Sequence, residues 1–214
     1  MDTSANALAT PLHFRFWPKG LPREIEIPRT SLCANLDVAA QRYPDQPFII
    51  YYGATLTFGR MHAEVEALAG YLQRRCAVAR GDRVLLYMQN SPQFVIAYYA
   101  ILRADAMVVP VNPMNLTDEL RHCARDSESR VVLCGQELFA ALQPLLGAEI
   151  DHVVTAAYGD YADLAGDIAV PDVVRDPCAT FAAPGVVSWA QALAAGYAPA
   201  PAQAGPDDLC VMPY

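Results

Sequence analysis

The stretch GDRVLLYMQNSPQFVIAYYAILRADAMVVPVNP (residues 81–113) decides the fold. Its first apolar run, VLLYM at 84–88, is short and continuous, as in a strand covered on both faces. Gly81-Asp82 forms the turn that leads into it. Asn90-Ser91-Pro92 then marks a helix start. Ser91 can accept from orphan backbone N–H groups, and Pro92 fits the first helical position. The helix should run to about Arg103. MVVPV at 107–111 is a second strand, although Pro110 denies it one ladder donor. Strand, helix and strand at this spacing make a β-α-β unit with a right-handed crossover.

The alternation continues outward. Downstream, Thr117 is placed to cap a helix whose first turn holds Asp118 and Glu119, both favourable to the helix dipole. Leu120, Cys123 and Ala124 form its inner face. RVVLC at 130–134 is a strand, a short helix covers 136–146, and 152–155 is another strand. Upstream, Met61, Val65, Leu68, Ala69, Leu72 and Cys76 recur at steps of three and four, giving one apolar helical stripe behind a Thr57 cap. FIIYYGATLTF (48–58) looks like two short strands joined at Gly53-Ala54. Before it, Leu32, Leu36, Ala39 and Ala40 have helical spacing that Pro44 ends. The expected class is α/β, a mostly parallel sheet with flanking helices from β-α-β units. The expected division is an irregular arm at 1–30, an α/β subdomain at 31–156, an irregular segment with a short helix (188–196) and a Pro/Ala linker at 157–206, and a final strand segment at 207–214. In that last segment, DDLCVMPY, the strand itself is expected at 209–212.

Composition narrows the function. Hydrophobic residues make up 54%, enough for a sizeable core, and the net charge of −8 lacks the footprint of a nucleic-acid binder. Met1–Thr10 has no basic or apolar block of a secretory signal, and the longest apolar run, 94–102, is far short of the roughly 20 residues of a membrane span. The six cysteines include no C-x-x-C pair and read as reduced core thiols. These features together point to the cytoplasm. FRFWPKGLPREIEIP (14–28) sets Phe14, Phe16 and Trp17 beside Arg15 and Lys19. Such an arm could touch a membrane surface or a partner, but the aromatics are expected to pack on their own domain.

The residues of common catalytic sites are missing from the sequence. No G-x-G-x-x-G follows a strand, and neither G-x-x-x-x-G-K-[ST] nor G-x-S-x-G occurs. His13, His62, His122 and His152 are scattered, and His62 and His122 read as boundary residues on helix faces. Asp160 and Asp163 read as a solvated loop rather than a metal site. Ser91 offers only the generic anion site of any capped helix. No catalytic residue and no metal ligand is assigned.

Three blocks carry a family resemblance: LTFGRMHAEVEALAGYLQ (56–73), residues 79–113 and LTDELRHCARDSESRVVL (116–133). In this order and spacing they resemble the N-terminal region of the adenylate-forming acyl-CoA synthetases, in tone closest to fatty-acid–CoA ligases. The resemblance implies the large N-terminal domain of an enzyme that uses ATP, Mg2+ and CoA on a carboxylic acid. It implies that a stretch like DDLCVMPY leads into a Thr/Ser/Gly-rich loop that cradles the ATP phosphates. That loop is absent from the chain, so these residues alone are expected to be inert and to self-associate through uncovered apolar surface near Cys210 and Met212. It also implies that Val111, Asn112 and Pro113 wall the CoA channel. Two positions depart from the family pattern. Arg60 stands where an acidic residue would complete a capping box with Thr57. Asp105 stands where a left-handed glycine is usual, at a cost of roughly 1 kcal/mol. Two other readings stay open. One is a non-catalytic α/β binding or assembly module. The other is the front of an aryl-acid ligase or peptide-synthetase adenylation domain.

Overall fold

The computed structural model describes residues 11–214, so the first ten residues of the expected arm lie outside the described residues. The order is α1 (Cys33–Arg42), β1 (Pro47–Tyr51), β2 (Ala54–Thr57), α2 (Phe58–Arg75), β3 (Arg83–Tyr87), α3 (Pro92–Arg103), β4 (Met107–Pro110) and α4 (Thr117–Asp126). There follow β5 (Val131–Gly135), α5 (Phe139–Leu142), β6 (His152–Ala156), α6 (Asp172–Arg175), β7 (Val186–Ser188) and α7 (Trp189–Ala194). β1 and β2 form an antiparallel hairpin. β3 to β7 form one parallel sheet in the order β4-β3-β5-β6-β7.

Alternate residues of each strand enter opposite cores, which explains the unbroken apolar runs. Val84 and Leu86 of β3, Val108 of β4, Leu133 of β5 and Val154 of β6 face α2, α3 and α7. Leu85, Tyr87, Val109, Val132 and Val153 face α4 and α5. Helices on both faces make three layers. α2 buries Met61, Val65, Leu68, Ala69 and Leu72, the stripe read from sequence. Thr57 Oγ1 accepts from Arg60 N at 3.3 Å, and with no acid at Arg60 the reciprocal bond is missing; Arg60 instead pairs with Glu64 one turn on, at 2.8 Å. Ser91 Oγ accepts from Phe94 N at 3.2 Å, with Pro92 behind it, as the sequence indicated. Asp105 has φ 61°, the left-handed conformation expected there.

Six expectations change. The hairpin turns at Tyr52-Gly53, both at positive φ, one residue earlier than expected. Thr117 does not cap α4. Leu116 holds the cap position, Glu119 accepts from its N–H at 2.6 Å, and the Thr117 hydroxyl donates to Ala141 O at 2.8 Å, tying α4 to α5. The helix expected over 136–146 is broken into 3-10 turns around the four residues of α5. Pro144 interrupts it, because proline cannot donate to the preceding turn. The segment after 156 is not wholly irregular. β7 pairs with β6 and extends the sheet past the expected subdomain boundary.

Among the described residues, the aromatics of the arm stack on one another rather than in the domain core. The arm's 3-10 turn (Leu12–Phe16) brings Phe14 edge-on to Trp17 at 5.5 Å, Arg23 covers the Phe14 ring at 5.1 Å, and Phe16 stays 88% exposed. Eclipsed i and i+3 side chains in a 3-10 turn make this local stack. Finally, 209–212 is not a strand. One parallel bridge, Val108 to Val211, joins it to the outer edge of β4.

Candidate functional site at the carboxyl edge of the sheet

Chain connections leave β3 toward one face and β5 toward the other. The crevice between their carboxyl ends is the switch point where open α/β sheets hold ligands. Three loops meet there. Tyr158, after β6, accepts from Gln89 N at 2.8 Å and donates to Glu137 Oε1 at 2.7 Å. Gln93, in the first turn of α3, is fully buried and donates from Nε2 to Ala157 O at 2.7 Å. Gly135 ends β5 beneath this group. A Cβ there would lie 2.2 Å from the Tyr158 hydroxyl and 2.6 Å from Glu137 Oε2, so a larger residue would displace one or both of these side chains.

The cluster is rich in acceptors. Gln93 Oε1 and Glu137 Oε2 are buried without a hydrogen-bond partner. Burial raises the Glu137 carboxyl above its ordinary pKa, against the lowering effect of its bond from Tyr158. Burial also pushes the Tyr158 hydroxyl and the Cys134 thiol up. Such a site suits an N–H or O–H donor. A triphosphate needs the opposite, a run of backbone N–H donors. No group of three or more metal-binding side chains occurs among the described residues. The residues present therefore do not fit ATP and Mg2+ by themselves.

The three sequence-assigned channel residues follow β4. Val111 is buried in the α4-side core. Asn112 folds its Oδ1 onto Met114 N at 3.0 Å, and its carbonyl accepts from Asn115 N at 2.9 Å, making a tight turn. Tyr87 supports the turn from below: its hydroxyl donates to Asn115 O at 2.6 Å, and burial lifts its pKa to about 12. Of the three, Asn112 is exposed and Pro113 half-buried, so these two present surface. The other sequence candidates stay apart. His62 bonds Asp37 at 3.1 Å, His122 lies edge-on to Tyr214, and Asp163 caps its own turn through Ala165 N at 3.1 Å. Reading the sequence alone missed Gln93, Glu137 and Tyr158. Gly135 at a strand end was the one usable hint.

A cavity of about 560 Å3 lies elsewhere. It lies at the amino ends of β3 and β4, between Leu32, Met107 and Leu209. The switch-point rule puts the candidate site at the opposite edge.

Sheet order and helical layering define a class: a doubly covered parallel α/β domain with a crevice at the carboxyl ends of its strands. The particular family follows from comparison. The model of the AMP-binding enzyme family matches residues 36–214, and the chain belongs to that family. A long-chain-fatty-acid–CoA ligase of Salmonella typhimurium is 32% identical over 186 residues, 85% of this chain and 33% of that protein. One from Bacillus subtilis is 32% identical over 156 residues, 72% of this chain and 28% of that protein. The chain thus spans about a third of the length of these relatives. Among solved structures, the anthranilate CoA ligase AuaEII in complex with anthranoyl-AMP superposes with a TM-score of 0.69 at 17% identity, over 86% of this chain and 32% of that one. A long-chain-fatty-acid-CoA ligase from Archaeoglobus fulgidus gives 0.66 at 21%, over 92% and 36%. Similarity at that level carries the fold. No helix among the described residues is long and apolar enough to cross a membrane.

Proposed function

We propose that the chain is the N-terminal part of an ATP-dependent acid–CoA ligase whose acid is a fatty acid. The observation that carries this reading is the family match over 36–214 together with relatives at about a third identity that are named for long-chain fatty acids. The aryl-acid ligase among the solved structures is similar at only 17% identity, so it adds nothing on the choice of acid.

In such an enzyme a substrate carboxylate attacks the α-phosphorus of ATP and pyrophosphate leaves. CoA thiolate then attacks the acyl carbon, AMP leaves and a thioester forms. The first step turns a poor leaving oxygen into a good one. Mg2+ and aligned phosphate-binding dipoles, held by residues other than the described ones, would supply the stabilisation of charge growing on pyrophosphate. This chain's own residues supply the layered scaffold and the turn at Asn112 and Pro113, which walls the CoA path while Val111 anchors it from behind. The carboxyl-edge cluster offers the acceptors Gln93 Oε1 and Glu137 Oε2 where triphosphate needs donors, which supports the expectation that the 214 residues alone are inert.

The test is acid-dependent release of pyrophosphate from ATP. The purified 214-residue chain should stay at background. A polypeptide that extends past Tyr214 through a Thr/Ser/Gly-rich loop should turn over with a long-chain acid. Turnover by the short chain, or no turnover by the longer one with any acid, overturns the reading.

A further inference from the structure

We infer that Asp105 is a positioning residue whose carboxylate sets the register of residues 203–212 against β4. The segment read from sequence as a Pro/Ala linker is a strap fastened across the amino side of the sheet. Ala200 is held from both sides: its N–H donates to Gln73 Oε1 and its carbonyl accepts from Arg103 Nη1, each at 2.8 Å. Asp105, in the turn between α3 and β4, takes the next hold. Its Oδ1 accepts from Gln203 N at 2.9 Å and from Ala204 N at 2.8 Å, and its Oδ2 lies 3.1 Å from Gln203 N. A compact turn follows, in which Asp208 accepts from Gly205 N at 2.7 Å and from Arg80 at 2.9 Å.

The spacing makes Asp105 decisive. The ladder with β4 begins at Cys210, whose carbonyl accepts from Val108 N at 3.0 Å, and it closes with Met212 N donating to Val108 O at 2.9 Å. Only Leu209 separates the Asp208 turn from that ladder, so the strap has no slack. Wherever Ala204 is held, the residue that meets Val108 is fixed. A slip of one residue would exchange half-buried Cys210 and Met212 with exposed Leu209 and Val211.

Glycine at this point would satisfy φ 61° but could accept nothing from the strap. Aspartate tolerates the conformation and adds two backbone anchors. On the ligase reading, which this inference deepens, the segment so placed is the one that leads the chain to the nucleotide site.

The two variants that test this are Asp105→Gly and Asp105→Asn. Glycine relieves the left-handed backbone, so D105G should keep the fold. Amide hydrogen exchange in the 214-residue chain reads the register. D105G should speed exchange at Gln203, Ala204, Val108 and Met212 by about tenfold, while β5 and β6 amides stay as protected as before. D105N keeps an acceptor oxygen and should recover most of that protection. Unchanged exchange at Val108 and Met212 in D105G overturns the inference. So does an equal loss through the whole sheet, which marks a merely structural role. In a longer protein with ligase activity, D105G should raise KM for ATP several-fold with kcat and KM for the acid little changed; an unaltered KM for ATP rejects the link to the nucleotide site. A longer protein with no ATP turnover rejects the ligase reading, and exchange still decides the role of Asp105.

Discussion

Gly70 lies within the 18 residues of α2, where intrinsic propensity favours alanine by about 1 kcal/mol. On propensity alone, Gly70→Ala should stabilise the chain. The structure requires the opposite sign. A Cβ on Gly70 would sit 1.9 Å from the carbonyl oxygen of Tyr197, 2.6 Å from its carbonyl carbon and 3.0 Å from that of Ala198. All three are backbone atoms of the strap, so no rotamer change relieves the overlap. Tyr197 must retreat by more than about 1 Å to reach ordinary contact. That retreat drags Ala200 from its bonds to Gln73 and Arg103, each worth about 1 kcal/mol net. Overpacking adds about 1–3 kcal/mol, and the propensity gain offsets only part of the total. G70A should therefore be less stable than the parent by about 2–4 kcal/mol, which lowers Tm by roughly 2–4 °C per kcal/mol in a chain of this size. Urea unfolding with linear extrapolation measures it. Ala63→Gly, at an exposed position of the same helix, calibrates the propensity term and should cost about 1 kcal/mol. Combining G70A with Gln73→Ala should cost less than the sum of the two, because both act on one strap. A G70A chain as stable as the parent, or more stable, refutes the reasoning.

Tyr161 donates to Glu64 Oε2 at 2.5 Å and accepts from Trp189 Nε1 at 2.9 Å. Tyr161→Phe orphans the N–H of a Trp189 that is 2% exposed and should cost about 1–3 kcal/mol in urea unfolding; a change below about 0.5 kcal/mol denies the network its role. Glu137 has its carboxyl pKa raised in the folded chain by burial, so the folded state holds that proton more tightly than the unfolded state. Its contribution is full below the ordinary glutamate range and is lost as pH rises through the folded pKa. Glu137→Gln should flatten that fall in a series of unfolding midpoints from acid to neutral pH; an equally steep fall in the variant contradicts the assignment. Cys178 is exposed and Cys210 half-buried, whereas Cys33, Cys76, Cys123 and Cys134 are buried, with burial pushing Cys33 and Cys76 to about 12. Thiol titration of the native chain should label Cys178 first and leave the buried four silent until denaturant is added; rapid labelling of all six would be inconsistent with the packing. Leu209 and Val211 are exposed on the outer edge of β4, so light scattering at high concentration should detect association, and a strict monomer would count against that surface being adhesive.

The central sheet was legible because its physics is local. A strand covered on both faces must be apolar at every position, so β3, β4, β5 and β6 read as continuous runs. Ser91-Pro92 and the stripe from Met61 to Leu72 need nothing beyond their own spacing. Elements that depend on remote partners were hidden. β7 is three residues long, and it is a strand only because β6 lies beside it. Gly185 at φ 77° lets it approach, with a Cβ there falling 2.0 Å from Asp151 O. Thr117 has the chemistry of a cap, but it satisfies Ala141 on a neighbouring helix instead. The carboxyl-edge cluster joins residues 64 and 69 positions apart, Gln93 to Ala157 and Gln89 to Tyr158, and no short motif encodes such a pair. The strap looked unstructured because Ala200, Gln203 and Ala204 are all held through their backbone groups, which carry no residue signature.

The outer edge of β4 shows how few residues turn a strand-like sequence into a guided exit. After Val108 and Val211, the next rung of a parallel ladder would need Pro110 N to donate to Met212 O, and proline has no N–H to give. The ladder must stop after Met212, whatever the strand propensity of LCVM. On the far side, Pro213 removes an outward donor that would otherwise invite a further strand. The chain accordingly leaves the sheet and crosses to α4, where the Tyr214 hydroxyl bonds Asp126 and its ring meets His122 edge-on. Asp105 fixes where the segment joins the sheet and Pro110 fixes where it departs. Between them they hold the path of these residues to a single rung, a tighter specification than the apolar pattern of the segment would supply.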